Sequence, residues 1–136
     1  MKATLHTVDT APAASRPLLE GAGKAFGFVP NLLATLADAP AALEGYLNLG
    51  RIFGKTSFTP TEEQVVLISA SVDNDCDYCV AAHTTIGQSQ EVDQLVLDRL
   101  RADRPLPDPK LEALRRFTKA VVRERGWVGE SEQAAF

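Results

Sequence analysis

The chain has 136 residues, of which 45% are hydrophobic and 24% are charged, and its formal net charge is −4. This composition is typical of a globular domain with a core of its own, and the acidic balance gives no reason to expect a nucleic acid or an anionic membrane surface as a partner. No apolar run is long enough to cross a bilayer, and residues 1–16 do not resemble a secretory signal, so we expect a cytoplasmic protein.

Proline and glycine punctuation predicts three helical segments in the first part of the chain. Ser15-Arg16-Pro17 provides a cap and a proline for the first helix, and Gly27 ends it. A second, short apolar segment runs over residues 30–36, and a third runs from Pro40 to Gly54. Each of the three segments has a proline at or near its start, where the missing amide hydrogen costs a helix nothing.

The clearest helix start in the sequence is Thr59-Pro60-Thr61-Glu62. It reads as a capping box, with Thr59 as the cap, Pro60 in the first helical position and Glu62 reaching back to the cap amide. The residues that follow include the β-branched run Val65-Val66-Leu67-Ile68, which on its own is also compatible with a strand. The capping box and the proline favour a helix.

The last third of the chain predicts two further helices. Gly87 allows a break, after which apolar residues recur at helical spacing over Glu91 to Leu100. A polar, proline-rich connector then leads to Asp108-Pro109, which opens a helix that Gly126 ends. Nothing alternates with period two, so the sequence predicts an all-α fold of six or seven helices, forming a single domain over residues 1–136.

Two predictions concern side chains outside these boundaries. The aromatic residues, including Tyr78, Trp127 and the phenylalanines, are expected in the core because of their size and apolar character. Four basic residues of the last predicted helix are expected on a solvated face, because charged side chains are rarely buried without partners. These residues are Lys110, Arg115, Arg116 and Lys119.

The segment CDYCVAAH carries both cysteines of the chain, Cys76 and Cys79, and one of its two histidines, His83. Two thiols three residues apart can close a disulfide within one chain, and a histidine one helical turn after the second thiol can accept a proton from it. In a reducing compartment such a pair is more often redox-active or metal-binding than part of a structural disulfide framework.

The turn formers Asp73-Asn74-Asp75 predict that a helix begins at or just before Cys76. If that helix includes Cys76, then Cys76, Cys79 and His83 fall within an arc of about 60° on one face. The positive end of the helix dipole would favour thiolate at Cys76, and the neighbouring aspartates would oppose it.

Residues 59–87, TPTEEQVVLISASVDNDCDYCVAAHTTIG, resemble the core of the alkylhydroperoxidase AhpD-like branch of the carboxymuconolactone decarboxylase family. The upstream AFGFVPNLL and the downstream RGWV are also similar to segments of single-domain members. The resemblance implies an all-helical domain that assembles through helix packing into homotrimers or homohexamers, with a peroxidase activity that needs no metal or organic cofactor.

In the mechanism that the resemblance implies, Cys79 attacks a hydroperoxide and becomes a sulfenic acid, and Cys76 resolves it as a disulfide. His83 belongs to the proton relay. A dithiol reductant, either a lipoyl group or a thioredoxin-like protein, restores the thiols.

Three features depart from the family pattern. Members with peroxidase activity carry a glutamate twelve residues before the first cysteine, where this chain has Gln64, and an amide cannot take up the proton. Tyr78 stands where some members have a histidine. Relatives also continue with further helices, so we expect the chain to be truncated after Phe136 or to lack the C-terminal part of the fold.

Other functions compatible with the sequence are a metal-binding or redox-sensing helical module, a carboxymuconolactone decarboxylase and a non-enzymatic helical assembly protein. A metal site would use Cys76, Cys79 and His83, for which His6 and nearby aspartates are weak candidates for a fourth ligand. The decarboxylase is disfavoured because the CxxC marks the other branch of the family and no clustered arginines suit a carboxylate substrate.

Overall fold

The computed structural model describes residues 3–136, and all regular secondary structure in that range is α-helical. The predicted all-α class is confirmed, with eight helices in this range where six or seven were expected. None of the helices in this range is long and apolar enough to cross a membrane. The helices are α1 Arg16–Phe26, α2 Asn31–Leu36, α3 Pro40–Phe53, α4 Pro60–Asp73, α5 Asp77–Ser89, α6 Gln94–Arg101, α7 Pro109–Arg123 and α8 Glu130–Ala135.

The chain divides into two compact units, of which the first ends at Thr56 and the second covers Ser57–Phe136. The single domain expected over residues 1–136 stays a prediction. The first unit contains α1 to α3, and the second contains α4 to α8 with the CxxC segment. The core of the first unit consists of small and aliphatic residues: Ala11, Leu19, Ala22, Leu33, Ala37 and Leu43.

The predicted bounds of the first three helices agree with the structure to within a residue or two. Gly27 ends α1 in a left-handed conformation, with a φ of 77°. The sequence predicts that the Ser15 side chain caps α1, but it makes no capping hydrogen bond. Its buried Oγ donates instead to the carbonyl of Ala37, at 2.8 Å, and so joins the start of α1 to the end of α2.

The predicted capping box at the start of α4 is present. The Thr59 amide donates to Glu62 Oε2 at 2.7 Å, and the Glu62 amide donates to Thr59 Oγ1 at 3.3 Å. Glu62 Oε1 also lies 2.6 Å from Lys110 Nζ, at the start of α7. The hydrogen bonds from Lys110 and Thr59 lower the pKa of the Glu62 carboxyl to about 2. Glu62 therefore caps α4 and pairs with α7.

Helix α4 is the central element of the second unit, because it packs against α5, α6 and α7. Val65 and Ile68 of α4 are fully buried. The β-branched run of α4 thus forms one side of the core, which explains why it does not show the one-sided pattern of a surface helix. The other members of this core are Val92, Leu97, Leu100, Leu106 and Leu114.

Four helices of the second unit end in a left-handed residue that is not glycine. In each case, the next residue's amide donates to a carbonyl five residues earlier, as in a Schellman motif. The predicted break at Gly87 is therefore wrong, because α5 continues through Gly87 and ends before Glu91. Helix α6 starts later than expected, with Asp93 as its cap. The left-handed residues are Asp75, Glu91, Asp103 and Arg125, with φ values of 52°, 60°, 49° and 52°.

Two predictions about side-chain environments are wrong. Tyr78 is 44% exposed and Trp127 is 87% exposed, so neither belongs to the core. Arg115 and Lys119 are buried, whereas Arg116 lies on the surface as expected. Arg115 pairs with Glu112 of the same helix and with Asp103. Both carboxylate partners of Lys119, Asp73 and Asp103, are distant in sequence, which the pattern of a single helix cannot reveal.

We expect Glu91→Gly to raise the free energy of unfolding by about 1 kcal/mol. The backbone of Glu91 is left-handed, which is unfavourable for a residue with a Cβ, and its exposed side chain can be removed without loss of packing. Thermal and urea unfolding would measure the difference. The matched control is Glu124→Gly, which makes the same exchange at an exposed helix end where φ is −88°. An equal gain in both variants, or no gain at Glu91, would contradict the assignment.

Candidate functional site

The two cysteines lie where the chain reverses direction between α4 and α5. Helix α4 ends at Asp73, and Asp75 takes up the left-handed conformation. The Asp75 amide donates to the Val72 carbonyl at 3.1 Å, and the Cys76 amide donates to the Ser71 carbonyl at 3.0 Å. The carbonyls at the end of α4 thus receive the amide of the first cysteine, which fixes the backbone of Cys76 against α4.

Cys76 is the N-cap residue of α5 and does not belong to the helix itself. Its φ and ψ of −95° and 84° are not helical, and its Sγ accepts a hydrogen bond from the Cys79 amide at 3.3 Å. The sequence predicts that the helix begins at or just before Cys76, whereas α5 begins one residue later, at Asp77. The sulfur of Cys76 takes the capping position that was expected for one of the preceding turn formers. A sulfur in this position faces the positive end of α5.

Cys76 and Cys79 are joined by a disulfide, with their Cα atoms 5.3 Å apart. Both residues are partly buried, while Asp77 and Tyr78 between them are exposed. The chain therefore carries a disulfide-capable CxxC pair, held at the start of a helix and close to solvent.

His83 lies one turn beyond Cys79 on α5 and is half-buried. Its Nδ1 is buried without a hydrogen-bond partner among the described residues. Burial lowers the pKa of the imidazole below its ordinary value of 6.5, because the protonated form loses hydration and gains no neighbouring carboxylate. The side chain is therefore neutral at pH 7 and can accept a proton.

Gln64 is only 2% exposed and lies on the side of α4 that faces α5. Its Nε2 donates to Gln90 Oε1, at 2.9 Å, whereas its own Oε1 is buried without a partner. Gln90 is the C-cap residue of α5. Sequence reasoning missed Gln90, because it lies 26 residues from Gln64 and has no motif around it.

Gly87 of α5 lies between Leu97 and Gln64. A Cβ at Gly87 would lie 2.8 Å from Leu97 Cδ2, which requires the Leu97 side chain to shift, and 3.4 Å from Gln64 Cγ, which is ordinary contact. Cys79, His83 and Gly87 follow at intervals of four residues, and each lies about 40° further around the helix than the one before. The stripe of α5 that starts at Cys79 thus leads through His83 to the contact with Gln64.

Among residues 3–136, no three His, Cys, Asp or Glu side chains form a group that could hold a metal ion. The alternative ligand set of Cys76, Cys79 and His83 is therefore not assembled. His6, the weak fourth candidate, lies in the first unit with its Nε2 2.7 Å from Asp38 Oδ1.

No model of a protein family matches the chain, and a search of curated proteins gives no match either. A solved structure does match. It is the crystal structure of an alkylhydroperoxidase AhpD core, described as an uncharacterized peroxidase-related protein from Ralstonia eutropha JMP134. The two chains are 24% identical and superpose with a TM-score of 0.82 over 96% of this chain and 71% of the other.

The superposition covers nearly the whole chain and agrees with the resemblance of residues 59–87. At 24% identity, it shows the fold and not the function. The chain therefore has the AhpD-like fold.

Proposed function

We propose that this protein is a thiol-dependent peroxidase of the alkylhydroperoxidase type, or a closely related disulfide oxidoreductase. The observation that carries the proposal is the Cys76–Cys79 disulfide at the start of α5, with His83 one turn further on. The AhpD-like fold supports it, because the similar protein is a peroxidase-related AhpD core. The substrate is a hydroperoxide, and the electrons come from a dithiol such as a lipoyl group or a thioredoxin-like protein.

The proposed cycle starts from the reduced pair. The Cys79 thiolate attacks the outer oxygen of the hydroperoxide, which breaks the O–O bond, forms a sulfenic acid and releases an alkoxide that takes up a proton. The Cys76 thiolate then attacks the Cys79 sulfur and breaks its S–O bond, so that the disulfide forms and the hydroxide that is displaced takes up a proton and leaves as water. The dithiol reduces this disulfide by two thiol exchanges and leaves as its own disulfide.

His83 and Gln64 have different parts in this cycle. Neutral His83 accepts the Cys79 proton, since it follows Cys79 by one helical turn. Gln64 supplies a hydrogen-bond acceptor, its unpaired Oε1, but no proton exchange. The relay therefore ends at His83, and we expect slow turnover. Assembly into homotrimers or homohexamers and a cytoplasmic location stay predictions.

The two cysteines can be distinguished by substitution. We expect Cys79→Ser to abolish the consumption of an organic hydroperoxide in the presence of dithiothreitol, because the attacking sulfur is lost. In Cys76→Ser the first attack remains, so Cys79 should gain one oxygen in a mass spectrum and react with a sulfenic-acid probe. Full turnover by Cys79→Ser would contradict the assigned roles. So would an oxygen adduct that forms on Cys76 in Cys79→Ser but not on Cys79 in Cys76→Ser.

We expect Gln64→Glu to increase the rate of peroxide consumption, because a carboxylate on the buried side of α4 can exchange a proton through His83. The matched control is Gln88→Glu, which adds the same charge at an exposed position of α5. The gain should disappear when Gln64→Glu is combined with His83→Gln. An unchanged or lower rate in a folded Gln64→Glu variant would contradict the role of Gln64.

The acid limb of peroxide turnover should lie below pH 6.5. The neutral form of His83 is the active one, and burial lowers the pKa of its imidazole below 6.5. Activity is therefore kept at pH values above the lowered pKa and is lost as the pH falls through it. A pH profile of kcat/KM and an NMR titration of His83 would measure it. In His83→Gln the rate should drop by about a hundredfold and the limb should vanish. A limb that persists in this variant would assign it to another group.

A further inference from the structure

Helix α7 carries three cations on one side at intervals of four residues: Arg115, Lys119 and Arg123. They contact two carboxylates that belong to the ends of other helices. Arg123 donates from Nε and Nη2 to both oxygens of Asp73, at 2.8–3.2 Å, and Lys119 Nζ lies 3.2 Å from Asp73 Oδ1. Lys119 and Arg115 also contact Asp103, the left-handed residue that follows α6.

The Asp73 side chain is only 6% exposed, so this carboxylate is a buried charge. Burial by itself would raise the pKa of Asp73, but the hydrogen bonds from Arg123 and Lys119 outweigh it and hold the pKa below its usual value. Removal of one partner would leave the other charge inadequately paired in a poorly hydrated position, which is strongly unfavourable. The last residue of α4 is therefore firmly attached to α7.

Asp73 is also the point from which the CxxC turn departs. Only Asn74 and Asp75 separate it from Cys76, and the amide of Cys76 is already bound to the end of α4 through the Ser71 carbonyl. A displacement of the end of α4 must therefore displace Cys76. Cys76 is bound to both helices, because its amide donates to the Ser71 carbonyl of α4 while its carbonyl accepts from the Val80 amide of α5. Cys79 belongs to α5 alone, so a displacement of the end of α4 acts on Cys76 first and can change the distance between the two sulfurs in the reduced protein.

We propose that Asp73, held by Lys119 and Arg123, is a positioning residue for the Cys76 and Cys79 pair, which keeps the two thiols close enough to form the disulfide. This role rests on the proposed function, in which the pair alternates between dithiol and disulfide. Asp73 takes no part in the chemistry. It holds the end of α4 against α7, and so adds a second attachment for Cys76 besides the contacts that Cys76 makes as the cap of α5.

The test is the equilibrium between the protein disulfide and dithiothreitol, measured in buffers of defined redox ratio by alkylation of free thiols and mass spectrometry. We expect the constant for disulfide formation to fall by about threefold or more in both Asp73→Asn and Arg123→Gln, because a looser turn presents the thiols to each other less often. Arg116→Gln is the matched control. It removes the same charge from an exposed position of α7 and should leave the constant unchanged.

A purely electrostatic effect gives a different result. Asp73→Asn removes a negative charge near the thiols and Arg123→Gln removes a positive one, so charge alone would shift the two equilibria in opposite directions. Opposite shifts, or no shift in either variant, would overturn the positioning role.

Two measurements keep the result clear. If Asp73→Asn does not fold, the comparison of Arg123→Lys with Arg123→Gln tests the positioning role instead. Both variants should fold, because Arg123 is 61% exposed, and lysine keeps the charge but not the two-point contact with Asp73. Positioning predicts an intermediate shift for lysine, and a charge effect predicts none. Peroxide turnover is measured separately, so wild-type protein that exchanges thiols without consuming peroxide would contradict the peroxidase assignment and leave the positioning role unaffected.

Discussion

The left-handed conformation of Asp75 is the constraint on which the site depends. Helix α4 must end and the chain must reverse within a few residues, while the carbonyls at the end of α4 still need donors. With Asp75 in this conformation, the Cys76 amide donates back to the Ser71 carbonyl, and Cys76 becomes the cap of α5. An aspartate tolerates this backbone better than most side chains. The sulfur is thereby placed at the start of a helix by the geometry of the preceding one.

Helices α4 and α5 carry polar atoms that are buried without a partner among the described residues. They are Gln64 Oε1 and Ser69 Oγ on α4 and His83 Nδ1 on α5. Each such group costs about 1–3 kcal/mol relative to a satisfied one. Proteins retain few of them, and those that remain commonly hold a water molecule or serve chemistry. His83 belongs to the stripe of α5 that starts at Cys79, and Gln64 contacts the far end of the same stripe at Gly87. The proposed function uses both side chains, which gives a reason for keeping them.

Charged contacts attach α4 to α7 at both of its ends. Lys110 of α7 pairs with Glu62 in the first turn of α4, and Arg123 pairs with Asp73 in the last. The order of these contacts shows that the two helices run in the same direction. Ion pairs of this kind add little net stability compared with apolar residues, but they disfavour any alternative register, because a shift would leave buried charges without partners. They therefore determine where the CxxC turn lies.

The helical class, the start of α4 and the pairing within the CxxC follow from the sequence alone, because they depend on contacts between residues a few positions apart. The sequence also predicts roles for His83, from its spacing to Cys79, and for Gln64, through a resemblance to known proteins, and these roles stay predictions. It did not reveal the left-handed ends at residues such as Glu91, where glycine would be the usual signal, or the burial of Arg115 and Lys119. The left-handed end at Glu91 is completed within α5, by the hydrogen bond from the Val92 amide to the Gly87 carbonyl, and no glycine marks it in the sequence. Lys119 is buried because its carboxylate partners lie outside α7, and a buried charge looks like a solvated one until its partner is known. These contacts exist only in the folded chain, because packing brings α4, α6 and α7 together.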